Sequence, residues 1–464
     1  MNPTSFEQIA EWAGGRVLRG DRSRMATGVS TDTRSLGEGD LFVALRGERF
    51  DGHNFVLQAA QAGAVAALVD TRFQPPAGLP DGFGLIEVAD TLQGLQSLAQ
   101  RYRASLPIKI VGITCSSGKT STKDFTAAVL GSRYRVMKTE GNFNNHIGLP
   151  LTLLHATGDD QIGVVELGMN HPGEIAPLAA IAAPNAAIIT NIGVAHIEFL
   201  KSREAIAREK GMLAEALPTG APLVMPGRDD FAASIAARSK ARAIFTGIEG
   251  DFAVRATVLE SGLEGSRFRV ESATGDSAEV TLPVPGEHMI ENALLALAMG
   301  ECFGVSLADG ARGLAESRLT KGRLEQKVIH GVRFLDDSYN ANPDSMRAAL
   351  RTLAGLPVSG RRIAVLGRMG ELGSEAEAGH RSVGHAVADA RVDLLITVGE
   401  EAGWIADAAG ERGSGVTVLR VGTPAEAGSV LARHAREGDL VLLKGSRAAQ
   451  MEGVLPIFEA IRNS

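Results

Sequence analysis

Residues Lys109 to Lys123 read KIVGITCSSGKTSTK: an apolar run, a short Ser/Gly loop, then Lys119-Thr120 opening a helix. A strand that feeds a tight loop at a helix N-terminus offers a phosphate both backbone N–H groups and the positive end of the helix dipole. The lysine adds charge, and the threonine hydroxyl suits magnesium. Thr114, Cys115, Ser116, Ser117, Gly118, Lys119 and Thr120 therefore form a candidate nucleotide-phosphate loop. Its spacing is unusual. Gly112 lies six positions before Gly118 instead of five, and Cys115 stands three before Gly118, where a compact loop would carry glycine. The loop is either shorter than in ordinary P-loop proteins or tolerates a side chain at its first bend. A chance Ser-Gly-Lys-Thr in a surface loop is the plainer reading, and the strand before it argues against that.

At 464 residues the chain suggests about three domains of roughly 150 residues each, and 44% hydrophobic content suffices for sizeable cores. A net charge of -7, with no Lys/Arg block interleaved with aromatics, excludes nucleic acid as the main partner. Anionic ligands must then be met by local sites. The start MNPTSFEQIAEWAGG lacks a basic segment followed by an apolar core, and no apolar stretch is long enough to span a bilayer. A cytoplasmic protein with no membrane insertion is expected. Cys115 and Cys302 are too far apart in the chain to read as a disulfide framework or a zinc cluster.

Strand-like runs alternate with amphipathic helices, the pattern of parallel sheets with helical crossovers, so the fold class is α/β. Strands are predicted at 108–113, 161–168 and 186–192, with helices at 119–130, 172–182 and 202–217. Residues 251–284 alternate polar and apolar with Gly-containing turns, which predicts a small antiparallel sheet packed on this central domain. A helix follows from Glu287. The final third repeats the parallel pattern as a Rossmann-like domain, with a first strand at Val328–Leu335 and others at Arg362–Gly367, Asp393–Gly399 and Asp439–Gly445. The first third is a small α/β domain whose Gln74-Pro75-Pro76 break reads as a loop. The expected division is 1–88, 89–318 and 319–464.

A phosphate loop alone fits kinases, motor ATPases, GTPases and ligases. Discrimination must come from the other strand ends. One strand ends in Glu166-Leu167-Gly168-Met169-Asn170, placing a carboxylate beside the loop, where it can hold Mg²⁺ or simply cap a helix. The next runs Thr190-Asn191-Ile192-Gly193-Val194-Ala195-His196, bringing a histidine to a similar height; alone, such a histidine is more often structural. In the helix at 202–217 the apolar stripe is Ile206, Lys210, Leu213, Leu217, so Lys210 occupies the buried face. Its ammonium must snorkel out, find a carboxylate, or lose its charge. A carbamate formed with CO₂ would instead be an anionic oxygen ligand.

With these residues on the page, the chain resembles the ATP-dependent Mur ligases, the amino-acid-adding enzymes of bacterial peptidoglycan synthesis, over essentially its whole length. The resemblance implies a short phosphate loop and two Mg²⁺ ions held by Glu166, His196 and carbamylated Lys210, with Thr120 on one of them. It implies ATP contacts for Asn292, in Pro285-Gly286-Glu287-His288-Met289-Ile290-Glu291-Asn292, for Arg323 reaching across from the third domain, and for Asp337. Capping or a surface polar pair is the alternative for Asn292, and a solvated arginine for Arg323. Asn342-Pro343 has a structural account as N-cap and first helical residue.

Further motifs resemble the branch that joins UDP-N-acetylmuramoyl-tripeptide to D-alanyl-D-alanine. They are Thr31-Asp32-Thr33-Arg34 with Leu41 to Gly47 and Asp51-Gly52-His53; Gly141-Asn142-Phe143-Asn144-Asn145; Pro172-Gly173-Glu174-Ile175; Asp336 to Pro343; and Lys444-Gly445-Ser446-Arg447. The Asn-Pro-Arg signature of the diamino-acid-adding relative is absent, the region reading Asn342-Pro343-Asp344. A sibling ligase adding a diamino acid or glutamate is the enzymatic alternative. The resemblance assigns the UDP-sugar end to the first domain through Ser30, Thr31, Thr33 and Arg34, the muramoyl peptide to Asn142 and Asn145, and substrate carboxylates to Lys444 and Arg447. The third domain would complete the ATP site and bind the incoming dipeptide, and a monomer is expected. Two departures stand out: Cys115 in the loop, and Arg368 in Gly367-Arg368-Met369, where the family pattern suggests aspartate. A kinase or GTPase would leave the Glu/His/Lys set surplus, and no Asn-Lys-x-Asp guanine reader is present. A nucleotide-binding module without catalysis is the remaining rival.

Overall fold

In strand Lys109–Thr114 the side chains alternate between two cores. Val111 and Ile113 enter one with Phe125, Leu294 and Leu350, whereas Ile110 enters another with Leu95, Leu149 and Ile189. A strand buried on both faces belongs at the centre of a parallel sheet covered by helices, and it sits there. The computed structural model describes residues 1–47, 50–411, 413 and 415–463. It contains three large sheets.

The first sheet has five strands in the order Arg16–Arg19, Gly84–Val88, Ala66–Asp70, Asp40–Val43, Gly28–Ser30. All neighbours are parallel except the first pair. Helix Thr91–Ser105 follows, N-capped by Asp90, whose side chain accepts from Gln93 N. Its Leu95, Leu98 and Tyr102 share one core with Phe6 and Ile9 on one side and Leu149 and Leu178 on the other. The Tyr102 hydroxyl also donates to Ala156 O at 2.7 Å.

The central sheet has nine strands. Val136–Lys138, Ile162–Glu166, Lys109–Thr114, Ala186–Ile189, Pro222–Pro226, Arg242–Ile248 and Val254–Gly262 lie side by side, all parallel. Gly265–Ser272 and Ser277–Leu282 then continue the edge antiparallel. The antiparallel segment expected at 251–284 is thus an extension of the central sheet and not a separate sheet packed on it. Glu249 and Gly250, both at positive φ, turn the chain so that Val254 pairs with Thr246.

The third sheet runs Glu325–Ile329, Val332–Asp337, Leu440–Lys444, Arg362–Gly367, Leu394–Val398, Thr417–Val421. Only the first pair is antiparallel. The single strand expected at Val328–Leu335 is a hairpin, because His330 and Gly331 both adopt positive φ and reverse the chain. Helix Pro343–Gly355 begins with a capping box in which Asn342 accepts from Ser345 N. The carboxyl ends of Lys109–Thr114, Ile162–Glu166 and Ala186–Ile189 meet loops from this third sheet. In open parallel sheets that crevice is where ligands bind.

Candidate active site

The phosphate loop is short. Strand Lys109–Thr114 ends at Thr114, and helix Lys119–Gly131 starts after Gly118. Gly112 belongs to the strand, where an added Cβ would sit 3.1 Å from Leu213 and 3.2 Å from Leu167, so the long Walker spacing has no structural meaning here. Cys115 is buried at the first bend. Gly118 has φ 84, and a Cβ there would lie 2.9 Å from Asn292 Oδ1, so Asn292 backs the loop directly. Asn191 braces it from the next strand end: its carbonyl accepts from Ser116 N at 3.1 Å and its Oδ1 from Ser117 N at 2.9 Å. Those two amides are occupied within the protein. The N–H groups of Lys119, Thr120 and Ser121, in the first helical turn, have no carbonyl four residues back inside the helix and lie at the positive end of its dipole.

Buried polar atoms without hydrogen-bond partners gather around this loop, among them Ser116 Oγ, Glu166 Oε1, His196 Nδ1, Lys210 Nζ and Arg323 Nε. Glu166 ends its strand fully buried, with Asn144 Nδ2 donating to Oε2 at 3.2 Å and Lys123 Nζ 3.8 Å from Oε1. Lys210 lies on helix Arg203–Glu215, capped by Ser202, and is completely buried between Ile206 and Leu213 on the apolar face. It does not snorkel. Neighbouring Glu209 makes no hydrogen bond to it, both its oxygens accepting from Gly173 N and Ile175 N at 2.9 Å, and its charge only partly offsets the effect of burial. Burial first, and then the charge of Lys119, pulls the Lys210 pKa down from 10.5 to about 7. A buried amine without a counter-ion is a cost unless something else occupies its surroundings. A neutral amine is also the form that takes up CO₂.

His196 sits at φ 64 before the short helix Ile197–Leu200, and its Nδ1 lies 2.5 Å from Glu371 Oε2 in the loop after strand Arg362–Gly367, a close ionic contact that is not aligned as a hydrogen bond. Glu371 is itself at φ 59. Left-handed backbone at two non-glycine residues costs on the order of 1–3 kcal/mol each and persists where the surroundings enforce it. The contact with His196 holds the Glu371 carboxyl below its usual pKa range. From the same third sheet, Arg323 Nη2 approaches Thr120 Oγ1 at 3.4 Å with its guanidinium 4.3 Å over the Tyr339 ring. Asn342 Nδ2 donates to Ser116 O at 3.1 Å and to Ser117 Oγ at 2.9 Å, so the helix cap also grips the loop. Among the described residues no cluster of three His, Cys, Asp or Glu side chains is arranged to hold a metal unaided.

Family models match nearly all of this architecture: the Mur ligase family catalytic domain at residues 26–103, the Mur ligase middle domain at 113–300, and the Mur ligase glutamate ligase domain at 322–447. The UDP-N-acetylmuramoyl-tripeptide--D-alanyl-D-alanine ligase of Bacillus subtilis is 38% identical over 98% of both chains. The chain belongs to the Mur ligase family. Crystal structure I of MurF from Acinetobacter baumannii matches with a TM-score of 0.88 and 32% identity over 99% of each chain. A MurF ligase from Thermotoga maritima in complex with ADP matches with a TM-score of 0.82 and 28% identity, over 94% of this chain and 98% of that one.

Within this Mur ligase the other expected site residues fall into distinct places. Lys444 is not an open cation for substrate carboxylates. It is buried, donating to Asp337 Oδ2 at 2.5 Å and to Asn340 O at 3.0 Å, and burial lowers its pKa despite Asp337. Asp337 is held by the same pair. Arg447 is exposed and paired with Glu452 at 2.6 Å. Arg368 pairs with Glu401 at 3.1 Å. Asn142 is exposed, whereas Asn145 Oδ1 accepts from Gly148 N at 2.9 Å and starts helix Gly148–Leu154.

In the first sheet Ser30 Oγ is turned into its own loop, donating to Asp32 O at 3.0 Å. Arg34 is exposed and holds Asp32 through Nε at 2.9 Å and Nη2 at 2.6 Å, which pulls Asp32 down to about 2. Thr31 and Thr33 are half-buried beside it. Sequence reasoning missed Asn144, Asn191 and Glu371. Asn144 and Asn191 lay inside motifs already singled out, whereas Glu371 comes from a different sheet.

Proposed function

We propose that this Mur ligase joins UDP-N-acetylmuramoyl-tripeptide to D-alanyl-D-alanine in an ATP-driven ligation. The observation that carries the chemistry is Lys210 Nζ, fully buried, without a hydrogen-bond partner and within the field of Lys119, together with a buried Glu166 Oε1 that accepts no hydrogen bond. The substrates rest on the full-length resemblance to ligases bearing that name, and ATP on the ADP-bound relative.

A carboxylate resists amine attack because oxide is a very poor leaving group. Transfer of the γ-phosphoryl group of ATP to the tripeptide carboxylate gives an acyl phosphate and ADP; attack by the neutral dipeptide amine then forms the peptide bond and releases phosphate. Lys119 and the amides of the first helical turn hold the phosphates. Asn292 keeps Gly118 in place, and Arg323 adds positive charge from the third sheet.

Residues Thr120, Glu166, His196 and carbamylated Lys210 would hold two Mg²⁺ ions. The donor set fits them: Glu166, His196 and Lys210 each carry a buried atom without a hydrogen-bond partner, and a carbamate would turn the buried lysine into a hard oxygen ligand. When bound, such ions neutralise repulsion between carboxylate and γ-phosphate. Thr31, Thr33 and Arg34 would meet the UDP end, with Arg34 exchanging Asp32 for diphosphate, and Asn142 would meet the peptide. Residues 1–88 would thus serve the nucleotide sugar, 89–318 ATP, and 319–464 the incoming dipeptide, in a monomer. Water must be kept from the acyl phosphate, and the Asn342, Arg323 and Glu371 contacts supply the closure.

The test is phosphate release from ATP with the tripeptide precursor carrying diaminopimelate or lysine, plus D-alanyl-D-alanine, glutamate or a diamino acid. Release that requires the tripeptide and D-alanyl-D-alanine together is expected. Release with glutamate or a diamino acid alone would reassign the branch, and intact ATP under all conditions would refute the reading.

A further inference from the structure

Glu371 is not needed to build the third sheet, yet it is held in a left-handed conformation that points its carboxylate out of that sheet's strand-end loop and onto His196. The loop is docked on both sides of this contact. Glu371 O accepts from Glu198 N at 3.2 Å, and Gly373 has φ 52 at a point where a Cβ would lie 2.9 Å from the Glu198 side chain. An imidazole with Nδ1 facing a carboxylate has only Nε2 left to offer a cation. Histidine ligands are oriented by this kind of outer partner, whose loss commonly weakens metal binding by about 10–100-fold.

We propose that Glu371 is a positioning residue: its carboxylate, at 2.5 Å from Nδ1 but not yet aligned to accept from it, takes the Nδ1–H of His196 by a small turn of the ring, fixes the tautomer, and presents Nε2 to a divalent cation bound with the nucleotide. Because Glu371 belongs to the third sheet and His196 to the central one, the cation site is complete only when the two are docked. The inference rests on the reading of His196 as a metal ligand.

The experiment is Mn²⁺ titration of the full chain with a non-hydrolysable ATP analogue, followed by electron paramagnetic resonance, on wild type, Glu371→Ala, Glu371→Gln and His196→Ala. Two bound ions are expected for wild type and loss of the weaker one in His196→Ala. In Glu371→Ala the weaker site should lose tenfold or more in affinity while the tighter one is unchanged, with Glu371→Gln between. Long-range ¹⁵N spectra of the metal-free protein should show His196 protonated on Nδ1 in wild type and shifted toward Nε2–H in Glu371→Ala. Unchanged affinity and tautomer in Glu371→Ala, with one ion lost in His196→Ala, overturn the role of Glu371 alone. Two ions retained in His196→Ala overturn the metal reading beneath it. Should Glu371→Ala fail to fold, Glu371→Asp, one methylene short, must show the same weakening, and wild-type affinity there overturns the proposal.

Discussion

Two lysines, Lys210 and Lys444, are equally buried, and their surroundings are opposite. Lys444 has a carboxylate at 2.5 Å and a carbonyl at 3.0 Å. Lys210 has no hydrogen-bond partner, and its nearest acidic neighbour is engaged with backbone amides. The first site is finished by the protein itself. The second leaves its amine without a hydrogen bond. Polar satisfaction, rather than burial, separates the two lysines.

The comparison breaks most sharply at the loop beside Lys210. Lys119→Ala should reduce phosphate release to below about a thousandth of wild type, through loss of the cation on the transferring phosphate. Next in size, Lys210→Ala should lower turnover by on the order of 10²–10³-fold. Formate or acetate should restore part of it by filling the ligand gap, and failure of rescue together with normal metal binding would count against the carbamate.

Stability sharpens the contrast. Lys444→Met leaves Asp337 buried and unpaired and should cost about 3–5 kcal/mol in denaturant unfolding. Lys210→Met removes an unpaired amine and should be neutral or stabilising at pH 7 in CO₂-free buffer. The difference has a pH signature. With a folded pKa near 7 against 10.5 unfolded, the unfolded chain carries an extra proton between those values. Wild-type stability relative to Lys210→Met should therefore rise with pH through that window, with the penalty complete below pH 7. A flat difference from pH 7 to 9.5 would mean that Lys210 is solvated. The smallest effect is expected for Asn342→Ala, about 1 kcal/mol of stability from the lost cap, with a modest rise in KM for ATP from the released loop.

What the sequence made legible was local. A strand, a loop and a helix in immediate succession announce a phosphate site, and a lysine in an apolar helical stripe is visible as an anomaly before any fold is known. The strand end at Glu166 followed from the same periodicity, as did the strand Ala186–Ile189 whose following loop carries His196. Glu371 was illegible because its meaning depends on a contact with a residue 175 positions earlier (371 − 196), between different sheets. The pairing of Lys444 with Asp337 was hidden because sequence does not tell whether a strand-end cation meets ligand or a neighbouring strand's carboxylate. The hairpin at His330-Gly331 was hidden inside an apolar run, and the edge at 254–282 was misplaced because alternation reports a half-exposed strand without saying which sheet it joins.

Gly118 and Cys115 stand three residues apart and face different futures under mutation. Any side chain at 118 collides with Asn292 at 2.9 Å in a backbone conformation that disfavours one anyway, whereas position 115 already houses a thiol in a closed pocket. Alanine or serine at the first bend should therefore leave the loop intact, whereas alanine at the last should push the loop off Asn292.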